Sequence, residues 1–345
     1  MKTPRHILIW LPSPLGDAIC AGPALRALRA HYGDAQITFF ASPFTQSILS
    51  PTDCADDWLN PAGGTAAQIT QLRSRSFDTA ILLKNSFGSA LTVWLAGIDR
   101  RIGYARDGRS ILLTDRIFPP KDNRGRFKPI SSVVYYLKLA EALGAAPMTA
   151  LPELNVAQSD EDAIDRLFPH IAGSDKPLVI LVPGGAFGPS KLWPPQRFAA
   201  CAEALIERHN AQVVISVAPT AAERQTAEAI ASLCRFELIH LGNTPLTGGQ
   251  LKALFNRAAM VLTNDTGPRH IAIALRRKVV TLFGPNNPAW THTDYPDEIR
   301  IVGQGPCVPC DKPACKATRH YCMESITVEQ VICAAETLLS RDCDE

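Results

Sequence analysis

The sequence predicts an α/β protein made of two doubly wound parallel-sheet domains. Three observations carry this. Apolar runs of strand length alternate with helical patterns along the chain, the order that yields parallel sheets covered on both faces. The alternation restarts near residue 177, after the acidic stretch Ser159-Asp160-Glu161-Asp162 and the turn residues Gly173-Ser174. The 345 residues suit two cores, at roughly 100–200 residues per domain. The reading divides the chain into an N-terminal domain, 1–160, and a C-terminal domain, 161–345. The last helical pattern, near 327–340, is free to pack on either domain, the N-terminal one included.

In the first half, strands are expected at 6–11, 36–41 and 79–83, and helices at 17–31, 89–96 and 131–143; 99–128 is less regular. In the second half, strands at 178–182, 213–217, 238–241, 260–263 and 279–283 alternate with helices at 194–207, 221–233, 250–258 and after Thr266. The opening apolar run Ile7–Leu11 is broken by Pro12 and Pro14 and reads as a buried strand. No later stretch approaches the ~18 apolar residues of a membrane span, so the chain is placed in the cytoplasm. A composition of 46% apolar and 20% charged residues is that of a globular protein. The net charge of +2 gives no case for nucleic acid as a partner.

Three segments follow strands and carry candidate chemistry. Leu11-Pro12-Ser13-Pro14-Leu15-Gly16-Asp17 joins the first strand to the first helix. Asp17 either caps that helix or is a carboxylate at a cleft edge, able to take a proton from a hydroxyl. Val182–Pro194 combines Gly184, Gly185 and Gly188 with Ser190 and Lys191. Its glycines free the backbone to wrap an anion and Lys191 adds positive charge, although a solvated Gly/Pro loop has the same composition. Thr263–His270 runs from a strand into a helix. Asp265, Thr266 and Gly267 leave the helix start uncovered, where its N–H groups and dipole suit a diphosphate, with Arg269 and His270 on the first turn. With two such domains, the cleft between them is the default ligand site. No Gly-x-Gly-x-x-Gly and no Gly-x-Ser-x-Gly follows a strand, which weakens dehydrogenase and hydrolase readings.

Residues 99–128 hold nine basic and four acidic side chains, net +5, which leaves the remainder at −3. Such a local excess suits an anionic partner; Arg101, Arg124, Arg126 and Lys128 are the candidate acceptor contacts, against the alternative of a solvated basic loop. Cys20, Cys54, Cys201, Cys234, Cys333 and Cys343 are scattered and read as reduced thiols. Cys307, Cys310, Cys315 and Cys322 cluster, with His320 nearby. Four thiols at this spacing are candidates for a structural zinc; otherwise they are free or paired thiols.

Together, "ILIWLPSPLGDAICAGPALRALR", "LVPGGAFGPSKLWPPQRFAACAEAL" and "LTNDTGPRHIAIALRRKVVTLFGPNNP" resemble, in order, the motifs of glycosyltransferase family 9, the ADP-heptose:lipopolysaccharide heptosyltransferases. The "LPSPLGD" form is most like members called heptosyltransferase II. The resemblance spans nearly the whole chain. It implies the GT-B fold, two Rossmann-like domains facing a cleft, with the acceptor on the N-terminal half and the nucleotide sugar on the C-terminal half. It makes Asp17 the catalytic base and has Lys191 and the 265–270 helix start hold the donor diphosphate. Ser190 would add a hydroxyl to a phosphate, and Glu223 falls near the family's acidic contact to the donor ribose. Gly185 stands where the family usually has alanine.

The implied reaction is inverting transfer of heptose from ADP-heptose to the lipopolysaccharide inner core, with no cofactor or metal in the chemistry. Peripheral contact with the inner membrane fits the basic stretch. The alternatives are another nucleotide-sugar donor, a sugar-nucleotide epimerase of the same fold, and a binding protein without catalysis.

Overall fold

The computed structural model describes residues 4–340; Cys343 lies outside them. Two compact units form. Unit 1 comprises the chain up to Leu154 together with Ala289–Thr293, and unit 2 comprises Asn155–Pro288 and the chain from Asp294 onward.

Unit 1 contains β1 (His6–Trp10), α1 (Leu15–Cys20), α2 (Gly22–His31), β2 (Gln36–Phe40), α3 (Pro43–Leu49), β3 (Asp57–Leu59), α4 (Gly64–Arg73), β4 (Thr79–Leu82), α5 (Phe87–Leu95), β5 (Arg100–Tyr104), β6 (Asp115–Ile117) and α6 (Ser132–Ala142). Its six strands are all parallel, in the order β3-β2-β1-β4-β5-β6. β1 and β4 sit side by side with Trp10 opposite Leu82, and both are buried almost throughout, which is why they read as unbroken apolar runs. The expected helix at 17–31 is two helices. Pro23 has no N–H to continue the ladder of α1, so the chain restarts as α2 with proline in its first turn.

Unit 2 contains α7 (Gln158–Leu167), α8 (Pro169–Ala172), β7 (Leu178–Val182), α9 (Pro195–His209), β8 (Gln212–Ile215), α10 (Ala221–Leu233), β9 (Ile239–His240), α11 (Gly248–Asn256), β10 (Met260–Asn264), α12 (Gly267–Ala274), β11 (Lys278–Phe283), β12 (Glu298–Val302), α13 (Tyr321–Glu324) and α14 (Val328–Leu339). Its sheet, β12-β11-β10-β7-β8-β9, is again all parallel. Read from β7 onward, this is the same connection order as in unit 1. In each unit the order reverses between the first and fourth strands, and beyond the carboxyl ends of those two strands is where such sheets bind ligands. The segments that fall there are 11–17 and 83–86 in unit 1, and 183–191 and 265–270 in unit 2.

Several elements differ from the sequence expectation. A boundary between 160 and 161 would cut α7, which lies wholly in unit 2 and packs on α11. Arg257 ties the two together through Glu161 and Asp165. Residues 99–128 include two strands, β5 and β6, held in part by the Arg100–Asp115 ion pair at 2.9 Å. β3, β6 and β12 are short or carry charged residues, so they left no apolar run to read. The last helix belongs to unit 2. Val331, Ile332, Ala335 and Leu338 of α14 join the unit 2 core with Phe198, Leu262, Val280 and Leu282.

Leu338 is fully buried in that core. Leu338→Ala is expected to cost about 2–5 kcal/mol of stability, read as a lower urea midpoint with an unchanged denaturant slope. A shift no larger than that of an exposed substitution would mean that α14 is not a core helix.

Candidate active site

In unit 1, Asp17 is the third residue of α1 and does not cap it, since the N-cap position is Pro14 and carries no side-chain bond. The carboxylate instead receives a hydrogen bond from Ser132 at the start of α6, Oγ to Oδ1 2.9 Å. Ser131, the N-cap of α6, donates to the carbonyl of His292, and Ser132 also approaches the carbonyl of Trp290 at 3.3 Å. These bonds dock Ala289–Thr293 on the helix that holds Asp17. The result is an open pocket of about 530 Å³, lined by Asp17, Asn85, Arg106, Lys128, Tyr135 and Trp290 among others. Asp17 follows β1 and Asn85 follows β4, so the pocket lies at the switch point of the unit 1 sheet.

The residues expected to meet an acceptor do not all come to the pocket. Lys128 lines the pocket. Arg101 does not; its guanidinium donates to the carbonyls of Leu112 (2.7 Å), Ile98 (2.6 Å) and Asp99 (2.9 Å), which fixes the turn between β5 and β6. Arg126 pairs with Asp122 across an exposed turn at 2.9 Å, and Arg124 belongs to that turn through its backbone N–H. Neither is among the lining residues. Arg106 does line the pocket: its guanidinium lies over the Phe127 ring, 4.4 Å from the centroid.

In unit 2, Lys191 is 8% exposed. Its ammonium donates to the backbone carbonyl of Asp265 (2.6 Å) and to Oδ2 of the same residue (2.8 Å), and sits over the Phe187 ring. An ammonium has three donors, so these two bonds orient the group and leave a third N–H. Burial by itself would raise the Asp265 carboxyl, but Lys191 and Arg269 override it and hold that carboxyl below its ordinary value. Arg269 is fully buried and grips Glu298 with two N–H groups, Nε–Oε1 2.6 Å and Nη2–Oε2 3.0 Å. Thr281 adds a hydroxyl to the same carboxylate at 2.6 Å. Two cations and two anions thus form one buried chain. His270 lies beside it, and burial, reinforced by Arg269, pushes its imidazole down to about 3, so it is neutral at physiological pH.

Two of the residues expected to meet the donor have their side chains engaged within the fold. The Asp265 side chain is committed to Lys191 and Arg269, and its backbone N–H donates to Leu282; it holds the cation and has no donor to give a phosphate. Ser190 is 2% exposed, and its single hydroxyl proton goes to the carbonyl of Lys312 at 2.6 Å. Its N–H donates to Pro313, and its carbonyl accepts from His320. The remaining groups keep an open geometry. Thr266 is the N-cap of α12 but makes no side-chain capping bond, unlike Thr220, Thr247 and Thr327 on their helices. Gly184 lies against the Glu223 carboxylate, where a Cβ would fall 2.4 Å from Oε2. At Gly185 a Cβ would stand 3.4 Å from Thr266 Oγ1, ordinary contact, so glycine in place of alanine changes little there.

The family model described as glycosyltransferase family 9 (heptosyltransferase) matches residues 66–320. The chain is 30% identical over 300 residues to lipopolysaccharide heptosyltransferase 2 of Escherichia coli strain K12, covering 83% of this chain and 84% of that protein.

The chain belongs to glycosyltransferase family 9.

A second relative in the family, lipooligosaccharide heptosyltransferase 2 of Haemophilus influenzae, is 26% identical over 352 residues, covering 97% of this chain and all of that one. The solved structure of the Escherichia coli ADP-heptose lipopolysaccharide heptosyltransferase II superimposes with a TM-score of 0.80 at 27% identity, over 98% and 99% of the two chains. Its fold class is therefore that of the GT-B heptosyltransferases.

The cysteine segment does not form the expected zinc site. Zinc takes its thiolates at about 2.3 Å in a tetrahedron. Among the described residues, no group of three or more His, Cys, Asp or Glu side chains is arranged to hold a metal ion. The Cys322 thiol is buried in the unit 2 core against Gly284, and burial pushes its pKa up, with the three neighbouring thiols adding to the rise. Cys307 and Cys315 are exposed. The segment does brace the 183–191 loop: Lys312, Pro313 and His320 hold Ser190, next to Lys191. Gly188 allows the approach, with φ 142° and room for no Cβ beside the Pro313 carbonyl.

Arg106 is one of the nine basic residues that marked 99–128 in the sequence, but it was not singled out there, and Asn85, Ser132, Tyr135 and Trp290 were missed. Asn85 carried a signal in its place just after the fourth strand; Ser132, Tyr135 and Trp290 depend on the fold of 99–135 and on the return of 289–293.

The neutral His270 predicts a pH dependence. Below its ordinary value of 6.5 the unfolded chain takes up a proton that the folded one refuses until about 3. Stability is therefore full above pH 6.5 and is lost as the pH falls through that window. Asp265 and Glu298, both held low, act in the same direction further down. The urea midpoint should fall from pH 6.5 to about 5, and His270→Gln should flatten that part of the curve. An unchanged slope in the variant would assign the loss to other groups.

Proposed function

We propose that this chain transfers heptose from ADP-heptose to the lipopolysaccharide inner core by an inverting displacement. The observation that carries the transfer is its 30% identity over most of its length with a lipopolysaccharide heptosyltransferase 2. Neither the epimerase nor the binding-protein alternative is favoured. The structure adds a carboxylate opening on a pocket at one switch point and an oriented cation at the other.

Asp17 is the base in this reading, and Ser132 holds it by one oxygen. It accepts the proton of an acceptor hydroxyl as that oxygen bonds to the anomeric carbon. The bond from that carbon to the diphosphate oxygen breaks on the opposite face, so configuration inverts and ADP leaves with the electron pair. The third N–H of Lys191, the Thr266 hydroxyl and the Gly267 N–H at the start of α12 meet the diphosphate. Their interaction strengthens as charge moves onto the leaving group. No step calls for a metal, because these groups supply the positive field. His270 takes part as a neutral imidazole. Glu223, which lies against Gly184, accepts from the ribose hydroxyls in this reading. We also assign the chain to the cytoplasmic face with peripheral membrane contact: among the described residues no helix is long and apolar enough to cross a membrane, and Ile111 and Phe118 are exposed within the basic stretch.

The test is ADP release with ADP-heptose and deacylated lipopolysaccharide inner core. Asp17→Asn should lower kcat by about 10²–10⁴ and leave ADP binding unchanged. Lys191→Ala should cost about 10²–10³ and also weaken the stabilisation by ADP. Near-normal turnover in Asp17→Asn would remove it as the base. Equal ADP stabilisation in Lys191→Ala and the parent would remove Lys191 from the donor site.

A further inference from the structure

How the unit 1 pocket recognises its acceptor can be taken further, resting on the transfer reaction above. Arg109 is fully buried and donates to the carbonyls of Tyr104 (2.8 Å) and Lys84 (2.6 Å) and to Oδ1 of Asn85 (2.8 Å). A guanidinium has only donors. The atom of Asn85 facing it is therefore the oxygen, and the amide nitrogen is turned the other way. Asn85 stands near the Tyr135 hydroxyl and favours its ionised form, as a donor does. Arg106 Nη1 approaches the same hydroxyl at 3.5 Å.

A phenol has one proton and two acceptor positions. With Arg106 donating to it and the Asn85 amide as its other donor neighbour, the Tyr135 proton points away from both, and Tyr135 lines the pocket. The ring is held in place. It stacks on Tyr104 with centroids 4.0 Å apart and planes 23° off parallel, and the Tyr104 hydroxyl donates to the Tyr135 carbonyl at 2.6 Å. Burial raises the Tyr135 phenol above its ordinary value, which keeps the proton on it. Arg106 and Lys128 line the same pocket, so the oriented O–H stands beside two positive charges. That combination fits an oxyanion better than a neutral hydroxyl.

We propose that Tyr135 is a specificity-determining residue of the acceptor site, donating its hydroxyl proton to a carboxylate or phosphate oxygen of the acceptor saccharide while Asp17 in the same pocket takes the proton of the hydroxyl to be glycosylated. Arg109 and Asn85 are positioning residues: they act through Tyr135.

The experiment compares steady-state transfer from ADP-heptose to three acceptors: deacylated inner-core oligosaccharide, its dephosphorylated form and its carboxyl-reduced form. Tyr135→Phe should raise the acceptor KM about tenfold, the worth of one hydrogen bond to a charged group, with kcat and the ADP-heptose KM within about twofold. The penalty should vanish with whichever modified acceptor lacks the recognised anion, which separates carboxylate from phosphate. An equal penalty on all three acceptors, or a loss in kcat alone, overturns the proposal. Asn85→Asp places a carboxylate where it accepts the Tyr135 proton, so it should raise the same KM with the tyrosine intact. In the double variant the two penalties should not add; full additivity overturns the orientation argument. Normal thermal stabilisation by ADP shows that each variant is folded. If the parent protein transfers heptose to none of the three, the transfer reading fails, and calorimetric binding of the same oligosaccharides decides Tyr135 by the same comparison.

Discussion

The chain of buried charges Glu298–Arg269–Asp265–Lys191 is the constraint on which the switch point of unit 2 depends. Each member is nearly inaccessible to water, and a buried charge is tolerated only when paired and hydrogen-bonded. Arg269 is satisfied by Glu298 on β12, and Lys191 by Asp265 at the end of β10. The cation of the 183–191 loop is therefore located by the sheet rather than by its own loop. Removing any one member leaves a buried charge uncompensated, which is why a surface-like lysine in the sequence becomes a fixed group in the fold. The His320 and Pro313 contacts to Ser190 hold the same loop from its other side.

Unit 1 solves a related problem with hydrogen bonds. Its pocket lies where the chains leaving β1 and β4 diverge, and the buried guanidinium of Arg109 joins the loop after β4 to β5. Burial lowers that guanidinium to about 10, still charged at neutral pH. Because guanidinium only donates, it dictates which way its neighbour Asn85 faces. On the other wall, Ser132 orients Asp17, and Ser131 docks the 289–293 segment. Rigid elements thus aim each polar group, which is what a site needs if its interactions are to strengthen only as the reaction proceeds.

The two units use one strand order twice, and in both the chemistry-bearing residues follow the first and fourth strands. This repetition lies in topology and not in sequence. It explains why three short motifs far apart in the chain belong to two sites: those after β7 and β10 meet at one switch point, and the one after β1 at the other.

The sequence by itself determined the fold class, the family, and the position of Asp17, Lys191 and the Thr263–His270 turn. Central strands are buried on both faces and must be apolar, and a turn between strand and helix needs small or capping residues, so both leave local marks. Tertiary structure decided the rest. Arg101, Arg124, Arg126 and Arg106 are alike in sequence, and only packing shows that Arg106 faces the pocket while the others complete turns. Ser190 and Asp265 sit inside recognisable motifs, yet their polar atoms are taken up by partners more than 70 residues away. Ser132, Tyr135 and Trp290 come together through the docking of a distant segment on α6. The four clustered cysteines have metal-like spacing, but in the fold Cys322 is buried in the core while Cys307 and Cys315 are exposed. Charge and hydrogen-bonding capacity can be read from a residue's type; which capacity is left over after folding depends on neighbours that the fold supplies.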